Sequence, residues 1–277
     1  MLGLGTAVNR GGLVSAADPL LLDTYSGAAA AYSLRQLSNT YSGNCVTVRR
    51  DSDNLDANIG FSGGVLDTSA LASHCGSANG FVVTWFDQSS NSNNATQLTA
   101  PTQPKIYDGT TGVVTDNGKP AITFSDTTGN MSGYTPANGN ISFFMAANSA
   151  DTTASHAFGT QSWTGTSNGN WFIGCSTTFR FYTDPGTDNR TANITQGQMF
   201  LGSAFQISGN KSIFSDGSAG GATTGADTSW TGSGIISNTT ASRGFAGTIS
   251  EMVIYESDQS SNRTAIETDI NTFYSIF

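Results

Sequence analysis

The 277-residue chain carries 11 Lys and Arg against 20 Asp and Glu, a formal net charge of −9, with no basic stripe. This argues against nonspecific nucleic-acid binding, which needs clustered cations. Charged residues are only 11%, yet aromatics reach 10% and apolar runs recur. A disordered chain would show the reverse.

Met1 to Leu22 lacks a basic start, and its apolar residues are interrupted by Gly3, Gly5, Thr6, Asn9 and Arg10, so it does not read as a secretory signal. It is expected to be an extended arm (residues 1–22). Leu2, Leu4, Leu13 and Val14 are unusual choices for a solvated tail, so an assembly anchor stands beside a frayed terminus. No run approaches the roughly 18 apolar residues of a membrane span, and no membrane insertion is expected.

Leu20 to Tyr41 reads as helical in part, with a short helix favoured by Ala28–Ala31, Tyr32, Leu34 and Leu37. Strands and turns then alternate. Residues 45–48, 81–86 and 120–124 each read as strands. The run Ile141–Ala147 is continuously apolar and predicts the central strand, buried on both faces. Further strands are expected at 171–174, 178–182, 199–205 and 211–214, with Arg180 between Phe179 and Phe181 marking one wet face. A last strand runs from Gly244 to Tyr255. After it Ile266, Ile270, Phe273, Tyr274 and Phe277 share one face of a 3.6-residue period, which predicts a closing helix. Ser260 or Ser261 could cap that helix, and Thr264 to Glu267 has capping-box spacing. No linker follows residue 22, so residues 23–277 read as one body.

Cys45, Cys75 and Cys175 are odd in number, so at least one is unpaired within the chain. The two readings are three free thiols or a Cys45–Cys75 bridge. No Cys/His spacing suggests zinc, and no cofactor is expected. Asp51, Asp53 and Asp56 supply oxygens at calcium-like spacing. They lack the turn glycine and distal Glu of a complete loop, so an Asx-turn balanced by Arg49 or Arg50 competes with a calcium site. Glu251, inside an apolar strand, is either a raised-pKa acid or a carboxylate paired with an Arg or a backbone donor. Trp163, Asn168, Trp171, Tyr182 and Trp230 lie in or near Gly/Ser/Thr/Asn-rich stretches. Aromatic faces and amide side chains suit sugars, so they are the candidate carbohydrate contacts; capping of the core is the alternative.

The strand-then-helix C-terminus resembles the concanavalin A-like and laminin-G-like jelly rolls, which implies an antiparallel β-sandwich. Leu22-Asp23-Thr24-Tyr25, Ala30–Leu37, Val46–Asp53, Ile59-Gly60-Phe61 and Val83–Ser89 together resemble the N-terminal part of the α-L-arabinofuranosidase B catalytic domain. In that family a Glu nucleophile follows a Gly-Asn-Gly stretch, and an Asp acid lies in a loop before the last strand. Here the matching stretches, 168–173 and 237–243, contain no carboxylate, and the family's adjacent cysteine pair is missing. The implied reading is a non-catalytic relative. Met-Leu-Gly-Leu-Gly-Thr and a later Arg-Gly-Gly resemble the N-termini of phage tail or capsid-associated proteins. The expectation is therefore a display or adhesion protein of a bacteriophage virion, assembled in the host cytoplasm. Its arm would contact other virion proteins, its copies would form a symmetric homo-oligomer, and its loops would hold host surface glycans. Two alternatives remain. One is an arabinofuranosidase-type glycoside hydrolase with relocated carboxylates among Asp184, Asp188, Asp216, Asp227 and Glu251. The other is an extracellular lectin.

Overall fold

The computed structural model describes residues 18–125, 129–137, 139–151, 155–160, 172–182, 190–224, 234–237 and 244–277. Its centre is the strand Ile141–Ser149, which pairs antiparallel with Met199–Ile207 on one side and Gly247–Tyr255 on the other. Side chains alternate across a strand, and here both faces are apolar. Phe143, Met145 and Ala147 point into the inner core, whereas Phe144 and Ala146 point into a second cluster on the outer face. The flanking strands follow the same rule. Phe200, Ala204, Met252 and Ile254 go inward, and Leu201, Phe205, Val253 and Tyr255 go outward.

The inner face is covered by an antiparallel ladder of Ser155–Thr160, Phe172–Cys175, Thr178–Tyr182 and Arg190–Asn193, with Gly234–Ile236 on the other side of Ser155–Thr160. Phe143 stacks on Phe158 at 5.8 Å, and Phe179 meets Phe200 at 5.6 Å. Gly202 permits this approach, since a Cβ there would lie 2.6 Å from the Phe179 ring. The layers make an antiparallel β-sandwich, the fold class expected from the sequence.

The outer face is closed by two helices, α1 (Leu21–Thr24) and α3 (Arg263–Tyr274). Ile266, Ile270 and Tyr274 of α3 are buried, whereas Phe277 is 57% exposed and lies beyond the helix. The α3 N-cap is Asn262, without a side-chain cap bond. The expected capping box does not form, because Glu267 is drawn instead to Arg263 and Ser203. Leu21 and Leu22 are buried in the outer cluster, so the packed body includes them.

Two expectations are corrected. Ala30–Ser33 is a strand and not the short helix predicted around Ala28–Leu37. It pairs with Met252, Val253 and their neighbours more than 200 residues later, and that long-range pairing overrides the local alanine preference. A helix not anticipated from the pattern, α2 (Thr68–Cys75), starts under an Asp67 cap that accepts the Ala70 N–H at 2.9 Å. All three cysteines are buried free thiols. No helix among the described residues is long and apolar enough to cross a membrane.

Candidate functional site

The register brings several strand termini to one end of the sandwich. Thr160 faces Gly234, Gly159 faces Phe172, Phe172 faces Tyr182 and Phe181 faces Arg190. Residues 161–171, 183–189 and 225–233 join these termini or lead into them, and all lie outside the described residues. They contain Trp163, Asn168, Trp171 and Trp230 of the expected sugar contacts, and Asp184, Asp188 and Asp227 of the alternative carboxylates. Tyr182 is described only as the last residue of its strand. Leu2, Leu4, Leu13 and Val14 also lie outside the described residues.

A described carboxylate at this end, Glu256, was missed by sequence reasoning. The strand Met131–Ser132 pairs with Gly234–Ile236, and the Gly133 N–H donates to the Gly234 carbonyl at 2.9 Å. Tyr134 follows directly, and its carbonyl packs so closely on Gly234 that no Cβ could fit there. The Tyr134 hydroxyl donates to Glu256 Oε1, and the Ala137 N–H donates to the same oxygen at 2.5 Å. Glu256 Oε2 has no partner among the described residues, and the side chain is exposed. Burial, reinforced by the Glu256 charge, pushes the Tyr134 phenol well above its ordinary value, so it remains a donor. No local signal marked Glu256. It sits in a polar break after Tyr255, and its partners are 119 and 122 positions away.

Two other alternative carboxylates are committed elsewhere. Glu251 is fully buried and accepts from Arg35 Nε at 2.7 Å, Arg35 Nη2 at 2.9 Å and Ser33 Oγ at 2.7 Å. Asp269 accepts a further Arg35 bond at 2.7 Å. This is the paired reading of Glu251, a clamp between the last strand, α3 and the segment after Ala30–Ser33. Asp216 accepts the Leu201 N–H at 2.8 Å in a tight turn with φ 50°. Leu201 lies near the Asn148 end of the central strand, away from Glu256 and the Thr160, Phe172 and Tyr182 termini.

The calcium expectation meets a different arrangement. Asp51 accepts from the Asn79 N–H and side-chain amide at 3.0 and 2.9 Å, Asp53 pairs with Arg50, and Asp56 lies in a separate strand. Among the described residues, no group of three or more His, Cys, Asp or Glu could hold a metal. Asp87 and Gln88 are structural. The Asp87 carboxylate takes the Ala31, Ser89 and Asn93 N–H groups, and Gln88 spans the Ser33 and Arg35 carbonyls and the Leu37 N–H.

Residues 23–157 match the family model "Alpha-L-arabinofuranosidase B, catalytic", just under half of the chain. Comparison with curated proteins finds no match. Among solved structures, an arabinofuranosidase complexed with arabinofuranosyl-α-1,2-xylobiose superposes with TM-score 0.69 at 18% identity, over 90% of this chain and 64% of that one. A GH54 α-L-arabinofuranosidase mutant soaked with 4-nitrophenyl α-L-arabinofuranoside gives 0.67 at 17% identity, with the same coverage. A GH54 enzyme soaked with a cyclic sulfate inhibitor gives 0.66 at 17% identity. This chain thus spans 64% of the length of those structures. These findings overturn the expectation of a non-catalytic phage display protein: the match is to a catalytic domain, and nothing in it points to a virion. The chain has the sandwich fold of those arabinofuranosidases, and its residues 23–157 are similar to the catalytic-domain model of that family.

Proposed function

We propose that this chain is a glycoside hydrolase of the arabinofuranosidase type, removing terminal arabinofuranosyl groups from larger saccharides. The family-model match over residues 23–157 carries this reading. Glycoside hydrolysis uses two carboxyl groups facing one glycosidic bond, about 5 Å apart in retaining enzymes and roughly 6.5–9.5 Å in inverting ones. Glu256 is assigned as one of them. Its Oε1 is held by two donors, which orients the carboxyl group, while Oε2 is uncommitted. A carboxyl group oriented in this way with one free oxygen suits nucleophile, base or acid. The second carboxylate is assigned to Asp184, Asp188 or Asp227, whose segments are tethered to the same end of the sandwich. Trp163, Asn168, Trp171 and Trp230 belong to those segments too and would contact the sugar. Two-carboxylate hydrolysis needs no cofactor, and an extracellular location goes with a polysaccharide substrate.

The test is release of 4-nitrophenol from 4-nitrophenyl α-L-arabinofuranoside by the purified chain and by Glu256→Gln, Asp184→Asn, Asp188→Asn and Asp227→Asn. Glu256→Gln and one Asp variant should each lose roughly 10²–10⁴-fold in kcat. No turnover by the parent protein, or unchanged turnover in all four variants, would refute the assignment.

A further inference from the structure

A cavity of about 330 Å³ opens where the start of α2, the small hairpin of Thr115–Asp116 and Lys119–Pro120, and the last turn of α3 meet. Its polar lining is Ser62, Asp67, Thr68, Ser69 and Lys119. The hydroxyls of Ser62, Thr68 and Ser69, all on exposed residues, and the Lys119 ammonium make no hydrogen bond or ion pair to any described residue. Lys119 is instead poised 4.3 Å from the centroid of the Phe273 ring. Asp67 spends Oδ1 on the α2 cap and leaves Oδ2 without a protein partner. Val65 and Pro120 supply an apolar wall, and the Phe273 ring carries Lys119 and, 5.3 Å from its centroid, Arg35.

The combination selects a ligand class. A cavity with free donors, a free acceptor and an apolar wall suits a molecule that carries hydroxyls all round and one apolar face. An anionic ligand would meet Asp67 and the net charge of −9. We infer that this cavity is a non-catalytic subsite for a neutral saccharide unit of a polysaccharide chain, with Lys119 and the Thr68 and Ser69 hydroxyls bonding its oxygens. The hairpin beside it is fixed to the closing strand by the Thr248 hydroxyl donating to Asp116, near the Gly247 end of that strand. Glu256 follows Tyr255 at the other end. Seven extended residues lie between Thr248 and Glu256, a span of roughly 25 Å, so one polysaccharide chain could engage both. The inference goes beyond the hydrolase reading, because binding here requires no carboxylate pair.

Two variants test it. Lys119→Met removes the donor and keeps the stem, and Ser69→Trp fills the cavity from an exposed helix position. Each is compared with the parent for affinity to soluble arabinoxylan by gel-retardation electrophoresis and for turnover of the small aryl arabinofuranoside. Thermal melting of both variants serves as the fold check. The expected result is retardation by the parent, at least a tenfold loss of affinity in both variants, and aryl turnover within twofold of the parent. Absence of retardation in the parent, or unchanged affinity in both variants, would overturn the subsite. If the parent binds and the variants do not, while no protein hydrolyses the aryl substrate, the subsite stands and the hydrolase assignment falls.

Discussion

At the scale of single residues, charge placement separates structural carboxylates from the one assigned to chemistry. Glu251 and Arg35 are both almost wholly removed from water, so each is tolerable only because of the other. Breaking a buried pair leaves an uncompensated charge and typically costs about 3–5 kcal/mol, whereas replacing both partners by apolar groups is often neutral. Arg35→Met and Glu251→Met should therefore each destabilise by about that amount, and the double variant by much less than their sum. Urea denaturation of the four proteins in a double-mutant cycle measures this; additive losses would show that the two groups are not coupled. Asp216 behaves differently. Burial, partly offset by its bond from the Leu201 N–H and reinforced by the Glu267 charge, raises its carboxyl above the ordinary value of 3.8. Well below that value both folded and unfolded chains hold the proton, and the group is neutral to stability. As pH rises through the ordinary range the unfolded chain releases its proton first, so stability falls until the raised folded value is passed. Asp216→Asn keeps a residue type that tolerates the left-handed turn and removes this slope. The variant should gain in melting temperature relative to the parent at pH 7 compared with pH 3. An equal difference at both pH values would contradict the argument.

At the scale of elements, what was legible depended on how far away the partner lay. Ile141–Ala147 announced a doubly buried strand because the signal was inside the run itself, and Ile266, Ile270 and Tyr274 announced the face of α3 for the same reason. Ala30–Ser33 was misread because nothing nearby reveals its pairing with Gly247–Tyr255. The α2 helix went unnoticed because it buries only Leu71 and Cys75, too few apolar positions to show a period. Glu256 was invisible for a related reason: its meaning comes from Tyr134 and Ala137, and neither is a local neighbour. Two substitutions probe the packing these elements create. Ile270→Ala removes a fully buried side chain between α3 and the sheet and should cost about 2–5 kcal/mol. Gly202→Ala places a methyl against the Phe179 ring and should cost about 1–3 kcal/mol by overpacking. Chemical denaturation reads both, and a Gly202→Ala protein as stable as the parent would mean that the two sheets can part without penalty.

At the scale of the whole molecule, three buried thiols belong to one continuous hydrophobic cluster. Burial pushes the Cys75 thiol up to about 11, and those of Cys45 and Cys175 higher still. Nucleophilic reactivity belongs to the thiolate, so at neutral pH a disulfide reagent should modify no cysteine in the native protein and all three in denaturant. Rapid modification of the native chain would show that the interior opens far more readily than this packing allows. The strand Gly247–Tyr255 binds Ile141–Ser149 on one edge and Ala30–Ser33 and Ile122–Phe124 on the other. A polypeptide emerging from the ribosome therefore exposes the apolar flank of its middle strand until the region around residue 255 has been made. Pairing over such distances is slow, and unpaired edges invite association between neighbouring nascent chains. Yield in a heterologous host is thus expected to be governed by chaperone supply and growth temperature during translation, more than by the stability of the finished sandwich.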